Sequence, residues 1–449
     1  MNERKIYELT PSQDVSYLQC KYTLFKRVIN ILSSVTLDEE IDFELMKKAL
    51  NLIVERNDCL RIKFFKQNGQ VKQYVDDAKP FNKIPVISFK TKEEQEKYID
   101  KYKNKAIKFF KGKVIEPTFI KTYDNRYMIM LKVCHMILDI YGINIIYKDL
   151  LEVYNALKDG KELPEQPTSF EELMIRDIER KHNSRLVEDN TKFFTEKLVN
   201  NPEPFYTGLH GPDNKIWQKK LAKNHRSMQM FFIKNDTIGY CHTINSDLVE
   251  RIINYSKENS CSPAHFLFYT CILTAAKLNN NTTHVLPLEL CNCRGTALDK
   301  RCAGTKVQSI ACYTKFDYDE QFASAINNFS MDQARLYRHI NFEDRDFETL
   351  LHKTYRSSLL DTYYSLTYSF IPMTMPEGVE FTIYSNGKCA LPAYLAQLYD
   401  TKTNEIRMAY DVQTKIISEQ NVADFHKKYL NVIEQVLNNP QIILKDIEL

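Results

Sequence analysis

Between Asp42 and Asn57 the apolar side chains Phe43, Met46, Leu50, Ile53 and Val54 recur at the spacing of one helix face. The period then shortens to that of a strand over residues 60–65. Asn68-Gly69 reads as a hairpin turn, because both positions tolerate positive φ, and residues 71–75 read as the antiparallel return. A second hairpin pairs residues 118–122 with residues 127–133 around Asp124-Asn125, and its second strand runs directly into Cys134-His135. After Gly142 the period lengthens to about 3.6 residues. Ile143, Ile146, Tyr147, Leu150, Val153 and Tyr154 share one stripe, which predicts a helix packed back on the sheet and ending near Lys158-Asp159-Gly160.

Residues 160–169 hold two prolines and several charges, the best linker in the chain, and a helix over residues 170–181 is predicted to bridge two lobes. The second half repeats the same grammar. Ser246 reads as the N-cap of a helix over 247–256, and Ser262-Pro263 opens another that runs to Lys277. Strands are predicted over 284–290, 310–316, 364–370 and 407–410, and a last helix over 418–437 ends before Pro440. The pattern predicts an α/β (α+β) chain: a first lobe over residues 1–165, a linker helix over 166–190 and a second lobe over 191–449. No internal repeat is strong enough to relate the two halves by sequence alone.

Composition narrows the function classes. At 449 residues the chain is too long for one ordinary core, and 27 Tyr with 25 Phe give two lobes ample apolar bulk. A net charge of +3 supplies no whole-molecule field toward nucleic acid or an acidic membrane surface. No apolar run is long enough to cross a bilayer, and Met1-Asn2-Glu3-Arg4-Lys5 leads into no signal-peptide core. The 11 cysteines therefore read as reduced thiols of a cytoplasmic protein rather than a disulfide framework.

The chemistry concentrates at Cys134-His135-Met136-Ile137-Leu138-Asp139-Ile140, where a buried strand ends and a loop begins. A histidine there has one side on packed protein and another open to a cavity, and imidazole serves as base and then acid near neutral pH. Asp139, among apolar neighbours, is costly to bury unpaired, and Arg294 is the expected cation. This stretch resembles the HHxxxDG signature of nonribosomal-peptide condensation domains and of chloramphenicol acetyltransferase-like enzymes. The resemblance runs along nearly the whole chain. Tyr7-Glu8-Leu9-Thr10-Pro11-Ser12-Gln13 resembles the family's opening Leu-Thr-Pro segment. Residues 55–64 are similar to its Arg-His-Glu-x-Leu-Arg-x-x-Phe pattern. Asn292-Cys293-Arg294-Gly295 falls where the family places an arginine, and residues 442–449 resemble its last strand.

The resemblance implies two chloramphenicol acetyltransferase-like lobes, each a mixed sheet flanked by helices, arranged as a V-shaped pseudo-dimer in one monomeric chain. It implies that His135 lies in a tunnel between them, as base or positioning residue, and that Asp139 is structural and pairs with Arg294. A donor thioester on the phosphopantetheine of an acyl or peptidyl carrier protein, or on coenzyme A, would meet an amine or hydroxyl acceptor there. No bound cofactor or metal is implied. With no adenylation or carrier segment in the sequence given, a free-standing protein that recruits its carrier through its surface is expected.

Three positions depart from the family pattern. Cys134 stands at the first motif His, Ile140 at the motif Gly, and Tyr368-Ser369-Phe370 where many members show Ser-Tyr-x-Asn. Ile140, Gly142, Tyr368 and Phe370 are therefore candidate tunnel-lining residues, and the changes point to an unusual acceptor or to lost activity. The alternatives are a coenzyme A-dependent alcohol acyltransferase of the same fold and a catalytically inactive condensation-like binding protein.

Other features have plainer readings. Cys134 and His135, adjacent on a strand, point to opposite faces and do not form a Cys-His nucleophile. Cys291, Cys293, Cys302 and Cys312 lack zinc-knuckle spacing and read, with His284, as packing residues. Basic runs at 105–113 and 219–226 read as solvated surface able to meet an acidic carrier or a phosphate, and Trp217 as ordinary packing.

Overall fold

The structure, a computed structural model, describes residues 4–206, 208–209, 236–357, 366–389 and 391–449. Trp217, the basic run at 219–226, and Tyr364 with Ser365 lie outside the described residues. The chain forms two compact units. The first takes Met1–His182, Asn292–Val307 and Met373–Lys388; the second takes Asn183–Cys291, Gln308–Pro372 and Cys389–Leu449. Each is a mixed sheet flanked by helices, the architecture that the alternation of two- and 3.6-residue periods predicts.

The main sheet of the first unit has the strand order Val379–Tyr384, Asn30–Leu37, Tyr127–Cys134, Ile115–Lys121, Val86–Ser88. Its last pair is parallel and the others antiparallel. A smaller antiparallel sheet joins Tyr7–Glu8, Gln70–Val75 and Ile62–Gln67. The turn of that hairpin is Asn68-Gly69, with φ of 50° and 77°, which glycine and asparagine adopt at little cost. The helices Phe43–Arg56 and Ile140–Asp159 bury Met46, Leu50 and Ile53, and Ile146, Leu150 and Val153. The Tyr147 hydroxyl ties the second of them to the sheet by donating to the Ser33 carbonyl at 2.9 Å.

The strand predicted from Leu60 begins instead at Ile62, because Asp58–Arg61 forms a 3-10 turn. Tertiary demand accounts for the shift: the Asp58 carboxylate accepts from the Phe170 and Glu171 amides at 2.7 and 2.9 Å and from Ser169 Oγ at 2.6 Å. It thereby satisfies the open N-terminus of the helix Phe170–Lys181.

In the second unit six strands lie in the order Val307–Ala311, Leu288–Asn292, Thr367–Met373, Ala393–Asp400, Glu405–Gln413, Thr237–Ile244. The helix Pro263–Leu278 is buried along its length from Phe266 to Ala276, and Glu419–Asn438 buries Phe425, Tyr429, Val432 and Ile433 in the same core. Four predictions need correction here. The strand expected over 310–316 is instead Val307–Ala311, and Thr314–Lys315 pairs in a separate two-stranded sheet. The strand expected over 284–290 is split into His284–Val285 and Leu288–Asn292, with Pro287, which has no amide proton to give a ladder, between them. Asn245, not Ser246, caps the helix Ser246–Glu258, accepting from the Leu248 amide at 3.1 Å. The last strand expected over 442–449 is a 3-10 turn at Leu444–Asp446, with an isolated antiparallel bridge between Gln321 and Ile443 in place of a ladder.

Candidate functional site

Strand Tyr127–Cys134 is central in its sheet, and its last residue fixes the start of the motif loop. The Cys134 amide donates to the Val114 carbonyl at 2.8 Å, and the His135 amide donates to the Ile29 carbonyl at 2.8 Å. The chain then turns sharply, with the Ile137 amide donating to the Cys134 carbonyl at 3.0 Å. Both flanks of His135 are thus anchored by main-chain bonds that need no particular side chain.

The His135 ring is half-buried. Ser16 Oγ, on helix Pro11–Tyr22, lies 3.3 Å from its Nδ1. The Ser16 hydroxyl is oriented to donate to the Ser12 carbonyl at 3.5 Å, which leaves its oxygen to accept from Nδ1–H. Nε2 has no hydrogen-bond partner among the described residues. Burial pushes the imidazole below its ordinary value of 6.5, opposed by its own main chain and by the charge of Asp139. With Nδ1 facing Ser16, Nε2 is the ring nitrogen left to meet a substrate.

Asp139 is the N-cap of helix Ile140–Asp159, and its Oδ1 accepts from the Gly142 amide at 2.7 Å. Arg294 meets it with a two-pronged contact, Nη1 to Oδ2 at 2.9 Å and Nη2 to Oδ1 at 3.1 Å. The Lys306 amide donates to Oδ2 at 2.8 Å. The other donors of Arg294 reach the Cys302, Ala303 and Gly304 carbonyls and Asn292, and its guanidinium lies 4.7 Å from the centre of the Tyr141 ring. Every lone pair of the carboxylate is engaged, so Asp139 has no capacity left for chemistry at His135. Its contacts fasten residues 302–306 to the motif loop, where the Thr305 amide also donates to the Ile137 carbonyl at 3.0 Å.

Gly142 is required by this junction. A Cβ at that position would lie 1.8 Å from the Ala303 carbonyl oxygen, a main-chain atom that cannot swing aside. Gly142→Ala is expected to destabilise the first unit by roughly 1–3 kcal/mol, as overpacking does. An unchanged urea midpoint by circular dichroism would contradict that reading.

The remaining predicted residues fall in different places. Cys134 is fully buried, and burial pushes its thiol up to about 12, so at neutral pH it is a protonated packing residue rather than a nucleophile. Ile140 is half-buried in the first turn of the motif helix. Tyr368 is a core residue of the second unit, stacked on Phe268 with ring centres 4.4 Å apart and donating to Gln397 Oε1 at 2.8 Å. Phe370 is half-buried beside Tyr399. Among the described residues no group of three His, Cys, Asp or Glu side chains converges to hold a metal ion. Cys293 and Cys302 are instead pushed up to about 12 by burial. Among the described residues no helix is long and apolar enough to cross a membrane.

Sequence reasoning missed Ser16 and the buried charges behind the motif. Lys306 is 2% exposed and is paired with Asp177, and its Nζ is 3.7 Å from Asp299. Arg176 is paired with Asp299 in turn. These residues are scattered over the chain with no spacing that marks them.

The sequence model of the family described as Condensation domain matches residues 3–449. Gramicidin S synthase 2 of Aneurinibacillus migulanus is 18% identical over 457 residues, 99% of this chain and 10% of that protein. Bacitracin synthase 3 of Bacillus licheniformis is 20% identical over 460 residues, 100% of this chain and 7% of its own length. The chain thus spans a small fraction of the curated relatives it matches. Among solved structures, a variant of the starter condensation domain of rhizomide synthetase in complex with C8-CoA superposes with a TM-score of 0.81 at 14% identity, covering 99% of this chain and 98% of that one. The first condensation domain of the calcium-dependent antibiotic synthetase, in complex with a substrate analogue, gives 0.78 at 14% identity over 99% and 100%. These likenesses show the chloramphenicol acetyltransferase-like fold. Taken with the family match over almost the full length and the ordered motif around His135, they place this chain in the condensation-domain family of nonribosomal peptide synthesis, whose members are acyltransferases that form amide bonds.

Proposed function

We propose that the chain moves an acyl group from a thioester, on a carrier protein's phosphopantetheine or on coenzyme A, to an amine or hydroxyl acceptor, with His135 as the base or positioning residue. The observation that carries this reading is the His135 ring, held at Nδ1 by Ser16 and unpartnered at Nε2 among the described residues. A neutral Nε2 accepts the proton of the attacking N–H or O–H as the carbon–nitrogen or carbon–oxygen bond forms. The carbon–sulfur bond then breaks, and the same proton passes from the imidazolium to the departing thiolate. A thioester is already activated, so the step balances without a redox partner. Asp139 and Arg294 hold the loop that carries the ring.

The reading fixes the pH dependence. Only the neutral imidazole is competent, so kcat/KM rises with pH and levels off once the ring has lost its proton. Because burial holds the imidazole below its ordinary 6.5, half-maximal activity is expected below pH 6.5. With a hydroxyl acceptor, which does not titrate near neutrality, a pH–rate profile with its acid limb centred above 6.5 would contradict the assignment.

The rhizomide neighbour was solved in complex with C8-CoA, so octanoyl-CoA is the first donor to try, alongside an octanoyl carrier protein. Incubation with a panel of amines and alcohols, with products identified by mass, tests the reading; a new amide or ester is expected. Ile140 at the motif glycine and Phe370 in the segment where many members show Ser-Tyr-x-Asn favour a second reading, a binding protein without turnover. Saturable thioester binding with no product from any acceptor would favour that second reading over the first.

A further inference from the structure

The first unit contains a cavity of about 520 Å³, within the size range of small-molecule sites. Val54, Leu60, Ile115 and Pro117 give it an apolar floor, and Tyr98 and Tyr102, on helix Lys92–Lys103, contribute aromatic surface. Five cations line it, Arg61, Lys63, Lys79, Lys83 and Lys113, against two carboxylates, Asp77 and Glu116. Glu116 is already taken by Lys132 at 2.6 Å. Neither His135, Ser16 nor Asp139 lines the cavity.

Arg61 and Lys63 are half-buried, whereas Lys79, Lys83 and Lys113 reach solvent. Lys79 pairs with Asp76 at 3.0 Å, and Lys63 donates to the Gly112 carbonyl at 2.7 Å. Arg61 spends Nη1 on the Asp76 carbonyl at 2.8 Å, while its Nε is buried with no partner among the described residues. Lys83 and Lys113 have no ion-pair partner among the described residues. Burial, chiefly, and the nearby charge of Lys79 also press on the Lys63 ammonium, with Asp76 opposing. Arg61 and Lys63, half-buried beside the apolar side chains, are the cations for which a charge-assisted contact with an entering anion is stronger than one in water.

We propose that this cavity binds a small organic anion, a phosphate or carboxylate on an apolar body, at a site distinct from His135. The cationic rim selects the charged head; the floor and the tyrosines select the body. Lys113 belongs to the basic run at 105–113, which the sequence reads as solvated surface able to meet an acidic carrier or a phosphate.

Calorimetric titration tests this with phenyl phosphate and octanoate as the two anion classes, and with inorganic phosphate and benzyl alcohol as head-only and body-only probes. Saturable binding of one or both organic anions is expected, at least about tenfold tighter than either partial probe. The Lys83→Gln/Lys113→Gln variant, verified as folded by circular dichroism, should weaken it by about tenfold or more, and His135→Ala should leave it unchanged. No saturation by either anion up to about 10 mM, or equal affinity in the folded double variant, overturns the proposal. If the double variant does not fold, Lys83→Gln alone decides, by the same criterion. Loss of binding in His135→Ala would move the probe to the acyl-transfer site and also overturn it.

Discussion

His135→Ala is expected to lower kcat/KM for acyl transfer by about a hundred- to ten-thousandfold, the range that a positioned acid–base group supplies. The thermal midpoint should stay close to that of the unaltered chain, because the position is held by its own amide donating to Ile29 and not by the ring. The ring is half-buried, and the side chain it meets is Ser16, which keeps its bond to the Ser12 carbonyl when the imidazole is gone. Stability and rate therefore separate at this residue. His135→Gln refines the test: glutamine preserves much of the volume and a donor but has no titratable nitrogen, so it should be as slow as alanine if proton transfer matters. A glutamine variant with near-normal rate would reduce His135 to a positioning residue. An alanine variant with unchanged rate would remove it from the chemistry altogether.

How far the sequence could lead to this residue depends on which physical signals are local. The helix Phe170–Lys181 was legible to the residue, and the motif helix nearly so, because caps and a 3.6-residue stripe are read from a few neighbouring side chains. The pairing of Asp139 with Arg294 was also legible, since an aspartate among apolar neighbours demands a cation and the family pattern offers one. Lys306, Asp177, Asp299 and Arg176 carried no such mark. Each is an ordinary charged residue until the fold buries it, and its partner lies up to 129 residues away. Ser16 was missed for a related reason: residues 11–22 have no apolar stripe, and that helix buries Ser12, Gln13, Ser16 and Cys20. The strand Val379–Tyr384 was missed as well. It joins the first unit's sheet by pairing with Asn30–Leu37, a partner more than three hundred residues earlier that no window along the chain contains.

Asp139→Ala is expected to destabilise the first unit by roughly 3–5 kcal/mol, the cost of leaving a buried charge without its partner. The side chain is 6% exposed and that of Arg294 is 1% exposed, so water cannot replace the lost contact. Two main-chain donors, the amides of Gly142 and Lys306, lose their acceptor as well. Arg294→Ala should cost a similar amount, and it frees the Gly304 carbonyl from its bond of 2.6 Å. Because the two residues share one interaction, the double variant should lose clearly less than the two single losses combined. Asp139→Asn should fall between, since asparagine still caps the helix but cannot neutralise the guanidinium. Urea unfolding followed by circular dichroism measures all four. The folded fraction of Asp139→Asn, assayed at low temperature, should retain most of its acyl-transfer rate, because this carboxylate holds the loop and does not reach the reacting atoms. A wild-type urea midpoint combined with a collapsed rate would reverse the assignment and place Asp139 in the chemistry instead.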